Sequence, residues 1–402
     1  MLFMLIVIRD GEELSKKARL VVQLFESVSN TKVLYVFRKE QDKFREKRDF
    51  NQIELATSIK GIFVYFFLMM LKTPKDLHDG IIRRLSKKKA SSMIMGDSFF
   101  SVLTQAIYQY LVRSARTDGI VRFLRKSNLS KIFVIDEFWS LNSVNPRMLK
   151  TFGPIIYVSQ DLAYDIFGFG DNIVAKKLMY KLEREAIPLV DVVVACSERD
   201  KLKYLKMGAK QVISYPNMYP IMDFEPCEKD EEPSISIVLR GHWGSRADSA
   251  FKQIFGALAC IDRKIRVYMI GIKPEQVPRN VELQYFDWVP SKLDYLRTLS
   301  KSWIGINLGI HMGGTNQRKY DYAMVGSVVI SDSLGARGDM LPFEYAYVDG
   351  YDLAAKLEQI LNLGKEKLVE MGMENRKQAL SLAEAQRKKI LQMVKGLAAD
   401  NP

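Results

Sequence analysis

The sequence predicts an α/β protein made of two doubly wound parallel-sheet domains. Three observations carry this. At 402 residues the chain exceeds what one ordinary core holds, so two domains are expected. Short apolar, β-branched runs alternate with amphipathic helical stretches along its length. The alternation is interrupted by an acidic, proline-dotted run, residues 223–233 (DFEPCEKDEEP), and then restarts. The expected division is an N-terminal domain 1–216 and a C-terminal domain 217–402, with a linker at about 217–233.

In the first domain, Leu2 to Ile8 is a buried strand that Asp10-Gly11 breaks. Neither a basic segment before this apolar run nor a small-residue cleavage site after it suggests a signal peptide. The helix Glu12 to Ser27 carries Leu14, Ala18, Val21, Val22 and Phe25 on one face. Lys32 to Phe37 is a second strand and Gln52 to Leu55 a short third, the opening order of a doubly wound sheet. Thr57 to Met70 is read as a helix. Its run Gly61 to Leu71 is shorter than the ~20 residues a membrane span needs, so it is a core helix or an interfacial patch. A basic amphipathic helix, Leu77 to Lys89, follows.

Three strand-plus-loop units come next. Ser92 to Met95 leads into Gly96-Asp97-Ser98 and the helix Phe99 to Arg113. Ile132 to Ile135 leads into the loop Asp136-Glu137-Phe138-Trp139, and Pro154 to Val158 into Ser159-Gln160-Asp161. Each sets a carboxylate just past the C-terminal end of a strand, the edge where ligands bind in open α/β sheets. Asp and Ser also cap following helices, which is the plainer reading of each. The helix Ile173 to Pro188, the strand Val190 to Ala195, a helix begun by Ser197, and the strand Gln211 to Ser214 complete the domain.

The second domain repeats the pattern. Ile235 to Leu239 is a strand followed by the loop Arg240 to Arg246 and the helix Asp248 to Ile261. Strands at Arg266 to Ile270 and Val281 to Tyr285 and a helix at Leu293 to Ser300 follow. Trp303 to Leu308 then runs into the turn Met312-Gly313-Gly314-Thr315-Asn316, the helix Gln317 to Met324 and the strand Ser327 to Ser331. Backbone N–H groups at that helix N-terminus make an anion site. A short strand, Tyr345 to Val348, and the helices Asp352 to Leu361 and Glu374 to Gly396 close the chain.

Composition narrows the function classes. Hydrophobic residues at 48% and charged residues at 27% exclude disordered and fibrous chains. The cysteines, Cys196, Cys227 and Cys260, lack metal-like spacing and form no disulfide framework, which points to a reducing compartment. Three scattered histidines disfavour a zinc site. Residues 1–216 carry 36 Lys and Arg against 23 Asp and Glu, while residues 217–402 carry 24 of each, so the whole excess of +13 lies in the first half. It serves solubility, or it meets phosphates on an anionic membrane surface or an acceptor. No aromatic-interleaved basic motif speaks for nucleic acid.

Four segments resemble the GT-B glycosyltransferases, closest to the family 4 sugar-nucleotide-dependent transferases. These are EREAIPLVDVVVACS at 183–197, GAKQVISYPN at 208–217, FDWVP at 286–290 and KYDYAMVGSVVI at 319–330. The resemblance spans about residues 180–400 in sequence and the first 180 only in topology. It implies two Rossmann-like domains facing a cleft, with the C-terminal helix packing back toward the N-terminal domain. It also implies a hexosyl transfer from a nucleotide sugar, retaining in most of the family, to a glycan or lipid-linked acceptor in polysaccharide or glycan biosynthesis. The place implied is the cytoplasm, peripheral on the inner membrane face. The family's paired glutamates fall here on Gly313 and Asp321. Asp321 keeps a carboxylate for the ribose hydroxyls, whereas Gly313 has no side chain, and Gln160 stands where the family often has a histidine. Retaining and inverting chemistry both stay open.

For such a transfer the leaving diphosphate must be stabilised. Arg240 and Arg246, flanking the loop with Gly241 and His242, are candidate clamps, because guanidinium pairs bidentately with phosphate. Lys319 is a third cation, and Gly11, Gly313, Gly314, Thr315 and Asn316 join Asp321 in the expected donor site. A lone histidine beside a glycine loop is more often structural than catalytic, which applies to His242 and His311. If the reaction inverts, a carboxylate acts as base on the acceptor: Asp161 first, Glu137 or Asp136 next, then Asp97. Without a DxD-like pair in a suitable loop, no metal and no cofactor are expected. The alternatives are a non-catalytic nucleotide- or sugar-binding protein of this shape, or a GT-B-shaped epimerase.

Overall fold

The computed structural model of the chain describes residues 2–9, 15–37, 113, 117–126, 128–159, 173–215, 224–239, 245–289, 291–309, 317–332 and 341–399. The expected strands Gln52–Leu55 and Ser92–Met95, the helices at 57–70 and 77–89, and nearly all of that at 99–113 lie outside these residues. The chain divides into two compact units. One comprises Met1–Tyr215 with Arg387–Pro402, the other Pro216–Gln386.

In unit 1, β1 (Leu2–Arg9), β2 (Asn30–Phe37), β3 (Ser130–Asp136), β4 (Ile155–Val158), β5 (Val192–Ala195) and β6 (Gln211–Ser214) form one sheet in the order β2-β1-β3-β4-β5-β6. Every described pairing is parallel. Both faces are covered, which is why these strands read as unbroken apolar runs. Met4, Ile6 and Ile8 point into one core cluster and Leu5 and Val7 into the other. Helix α1 (Lys16–Val28) lays Ala18, Val21 and Phe25 on the second face. It begins later than the expected Glu12, because Ser15 is the N-cap and accepts the Ala18 N–H.

The residues 136–139, read from sequence as a loop, instead end β3 and open α2 (Glu137–Asn142) directly. Further described helices of the unit include α3 (Pro146–Lys150), α4 (Ile173–Ala186) and α5 (Glu198–Lys206).

In unit 2, β7 (Ser234–Leu239), β8 (Ile265–Gly271), β9 (Val281–Phe286), β10 (Ile304–Asn307), β11 (Val328–Asp332) and β12 (Glu344–Tyr347) are again parallel, in the order β12-β11-β10-β7-β8-β9. Counted from β7 this is the 3-2-1-4-5-6 order of a dinucleotide-binding sheet, whose direction reverses between β7 and β10. The helices are α6 (Ser245–Ala259), α7 (Lys292–Ser300), α8 (Gln317–Met324), α9 (Gly350–Leu361) and α10 (Lys365–Ala399). Two glycines set how closely α8 lies on the sheet and how it ends. A Cβ on Gly305 would stand 2.2 Å from the Tyr322 ring, so α8 rests on β10 there. Gly326 closes the helix at φ 71°, in the left-handed region.

Residues 224–233 are fastened to unit 2. The Lys229 ammonium, 8% exposed, donates to Ser302 O (2.7 Å), Val325 O (3.0 Å) and Ser327 Oγ (3.0 Å). Tyr268 OH donates to Asp230 and Trp303 Nε1 to the Asp230 carbonyl. At the other end, α10 passes into unit 1 at Arg387, and Ile390, Met393 and Val394 join the core beside α1.

Candidate functional site

The C-terminal edge of the unit 2 sheet is the natural ligand edge, and the reversal point lies between Leu239 and Asn307. Helix α8 starts above that point. Its Arg318 is buried and fixes the position: Nη1 donates to Val238 O (2.8 Å) and Nη2 to Leu308 O (3.5 Å), bridging the two strands that flank the reversal. Three residues on, and so on the same helix face, Asp321 is 1% exposed. Lys292 Nζ donates to its Oδ1 at 3.0 Å and Tyr295 OH to its Oδ2 at 3.1 Å. Lys292 also stands 4.3 Å over the Tyr295 ring. Both partners lie on α7, whose N-cap Ser291 closely follows Trp288, a 59%-exposed aromatic after β9. Asp321, Lys292 and Tyr295 thus form one cluster between α7 and α8.

Lys319 faces elsewhere. Its side chain is fully buried and its Nζ lies 2.5 Å from Glu344 Oε2. The contact is an ion pair without directed hydrogen-bond geometry, for neither atom meets that geometry with any group. Ser331 Oγ donates to Glu344 Oε1 at 2.7 Å and Asn307 Nδ2 to Ser331 Oγ at 3.0 Å, so the pair is anchored across β10, β11 and β12.

Of the expected donor residues, Lys319 and Asp321 are thus on one short helix but on different networks. Arg246 falls in the first turn of α6. Gly11, Arg240, Gly241, His242, Gly313, Gly314, Thr315 and Asn316 lie outside the described residues, as do Asp97, Gln160 and Asp161.

In unit 1 the order reverses between β1 and β3. Asp136, at the end of β3, is buried and accepts from Ser15 N (2.7 Å), Ser15 Oγ (2.6 Å) and Arg9 Nη1 (2.8 Å). Burial pushes its carboxyl above the usual carboxylate range, against the opposing pull of Arg9, Ser15 and Lys17. Asp136 is therefore held in place by its neighbours. Glu137 is more open and pairs with Arg9 at 2.6 Å. Its φ of 70° is the one left-handed value at a non-glycine among the described residues, a conformation that collects at functional sites.

Two more groups converge near this edge. Lys17, in the first turn of α1, donates to Ser159 O and Cys196 Sγ. Ser159 Oγ shares a 2.6 Å hydrogen bond with Tyr204 OH, which donates to buried Glu183 at 2.8 Å. Tyr157 OH also donates to Glu183, at 3.1 Å. Burial first, and the Glu183 charge second, push both phenols well above their ordinary value.

Arg318, Lys292, Tyr295, Arg9, Lys17 and Glu183 were not singled out from sequence. The i, i+3 spacing of Arg318 with Asp321, and of Lys292 with Tyr295, is the signal that was available. Among the described residues no cluster of three or more His, Cys, Asp or Glu side chains is placed to hold a metal. Nor is any described helix long and apolar enough to cross a membrane.

No protein-family model matches the chain, and no curated protein matches it by sequence. Solved structures match it along its whole length. A sucrose-phosphate synthase from Thermosynechococcus elongatus shares 12% identity at a TM-score of 0.60, covering 99% of this chain and 100% of its own. A UDP-forming α,α-trehalose-phosphate synthase from Burkholderia vietnamiensis shares 10% at 0.60, covering 98% and 100%. Anabaena HepE, solved with UDP and glucose, shares 8% at 0.57, covering 98% and 100%.

Proposed function

From the fold that the chain shares with these glycosyltransferases, GT-B, we propose that it is itself a glycosyltransferase. It moves a hexose-type sugar from a nucleotide-sugar donor to a glycan or lipid-linked acceptor. The donor sits on the C-terminal domain, 217–402, and the acceptor on the N-terminal domain, 1–216. The observation that carries the reading is Asp321: a buried carboxylate on the helix above the reversal point of a 3-2-1-4-5-6 sheet, with Lys292 and Tyr295 already turned to it. A carboxylate there accepts from both hydroxyls of a ribose diol, and Trp288 offers a face for a base. HepE, solved with UDP and glucose, supports a uridine nucleotide as the first donor to try.

The diphosphate falls to Arg240, Arg246 and the turn Gly313–Asn316, where guanidinium groups and helix-terminal N–H groups neutralise the leaving charge without metal. Lys319 contributes indirectly, because its ammonium already serves Glu344. The cationic surplus of residues 1–216 brings the protein to anionic membrane surfaces, where a lipid-linked acceptor would lie. Incubation with UDP-, GDP- and ADP-sugars, following nucleotide release with and without chelator, tests the reaction. Flotation with anionic vesicles at rising salt tests the membrane step. Release from none of the donors, or vesicle binding indifferent to salt, speaks against the respective part.

A further inference from the structure

A lysine and a cysteine far apart in sequence meet in the interior of unit 1. Lys17 and Cys196 are 1% and 0% exposed, and Lys17 Nζ lies 2.8 Å from Cys196 Sγ. Lys17 belongs to the first turn of α1, and Cys196 follows β5 and immediately precedes Ser197, the N-cap of α5. The sulfur therefore has an ammonium beside it, and a neighbouring cation favours a thiolate. Ser159 O accepts from Lys17 and, at 3.3 Å, from the Cys196 thiol, holding nitrogen and sulfur at one point. The transfer reaction proposed above requires no thiol.

We propose that Lys17 and Cys196 form a reversible covalent cross-link under peroxide. The Cys196 thiolate attacks hydrogen peroxide, the O–O bond breaks, and sulfur is oxidised to sulfenic acid while hydroxide departs. That hydroxide takes a proton from the Lys17 ammonium and becomes water. The Lys17 amine then attacks sulfur, the S–O bond breaks, and the leaving hydroxide takes a second amine proton as water. Thiolate, ammonium and peroxide thus give one S–N bond and two waters. Sulfenic acids condense with nitrogen in this way when one is in place. The bond fastens the start of α1 to the end of β5, two elements that frame the unit 1 edge. A thiol reductant returns the free amine and thiol.

Peptide mass spectrometry of the full-length protein before and after hydrogen peroxide tests this. The expected result is a linked pair of peptides, one holding Lys17 and one Cys196, lighter by two hydrogens than the sum of the separate peptides. It vanishes with dithiothreitol and is absent in Cys196→Ser. Exposed Cys260, treated in the same tube, should show no lysine link. A Cys196 that stays a free thiol, or that takes up oxygen while Lys17 remains unlinked, overturns the proposal. Because the readout is on the wild-type chain, it does not depend on a variant folding.

Discussion

Lys319 on α8 and Glu344 on β12 stand 2.5 Å apart with both side chains cut off from solvent. Removing one partner strands a buried charge, which costs about 3–5 kcal/mol. Lys319→Met is therefore expected to lose about that much in urea denaturation, and the double variant Lys319→Met, Glu344→Met to recover most of it. A lysine that served the donor directly would instead show weaker nucleotide binding at unchanged stability.

Glu137 is held at φ 70°, which costs a side-chain-bearing residue about 1–2 kcal/mol relative to glycine. Glu137→Gly and Glu137→Ala both lose the pair with Arg9. Glycine alone also relieves the backbone, so its variant is expected to be more stable than the alanine variant by about 1 kcal/mol in thermal melts. Equal stabilities would remove strain from the account.

Lys229 gives a pH dependence of definite sign. Burial pushes its ammonium from the ordinary 10.5 down to about 7, with Asp230 and Cys227 opposing the shift. Its hydrogen-bond acceptors, Ser302 O, Val325 O and Ser327 Oγ, are all neutral. Between those two values the unfolded chain binds more protons than the folded one, so stability rises with pH, by at most about 1.4 kcal/mol per unit. Below about 7 the burial penalty is present in full. Lys229→Met should flatten the difference between unfolding curves taken at pH 7 and pH 9; an unchanged slope would assign it to other groups.

Asp321→Asn keeps the shape of the side chain and removes its charge. Hydrogen bonds to a charged group are worth about 1.5–3 kcal/mol, so nucleotide affinity should fall at least about tenfold by calorimetry. Binding that is indifferent to the change would place the ribose elsewhere.

The described strands were legible because parallel strands covered on both faces are continuous apolar runs, whatever the distant sequence does. Helix α8, Gln317–Met324, was legible since two glycines, Gly313 and Gly314, come shortly before it in the sequence and Gly326 ends it. Helix α10 was not: it starts at Lys365, ahead of the expected Glu374, and runs through Gly372. A mid-helix glycine reads as weakness, yet here it is required, because a Cβ at Gly372 would stand 2.1 Å from the Gly326 carbonyl oxygen. For the expected site residues that the structure describes, the partnerships were not legible. Nothing local to Asp136 announces Ser15 and Arg9, more than a hundred residues away. Similarly, an amphipathic helix does not reveal that Lys319 faces Glu344 while Asp321 faces Lys292.

The central claim is a nucleotide-sugar site on the C-terminal domain, and titration calorimetry of the full-length protein with UDP-, GDP- and ADP-glucose tests it most directly. The account predicts saturable binding of at least one of them, UDP-glucose first, weakened by Asp321→Asn. Absence of binding by the folded protein to all three would contradict it.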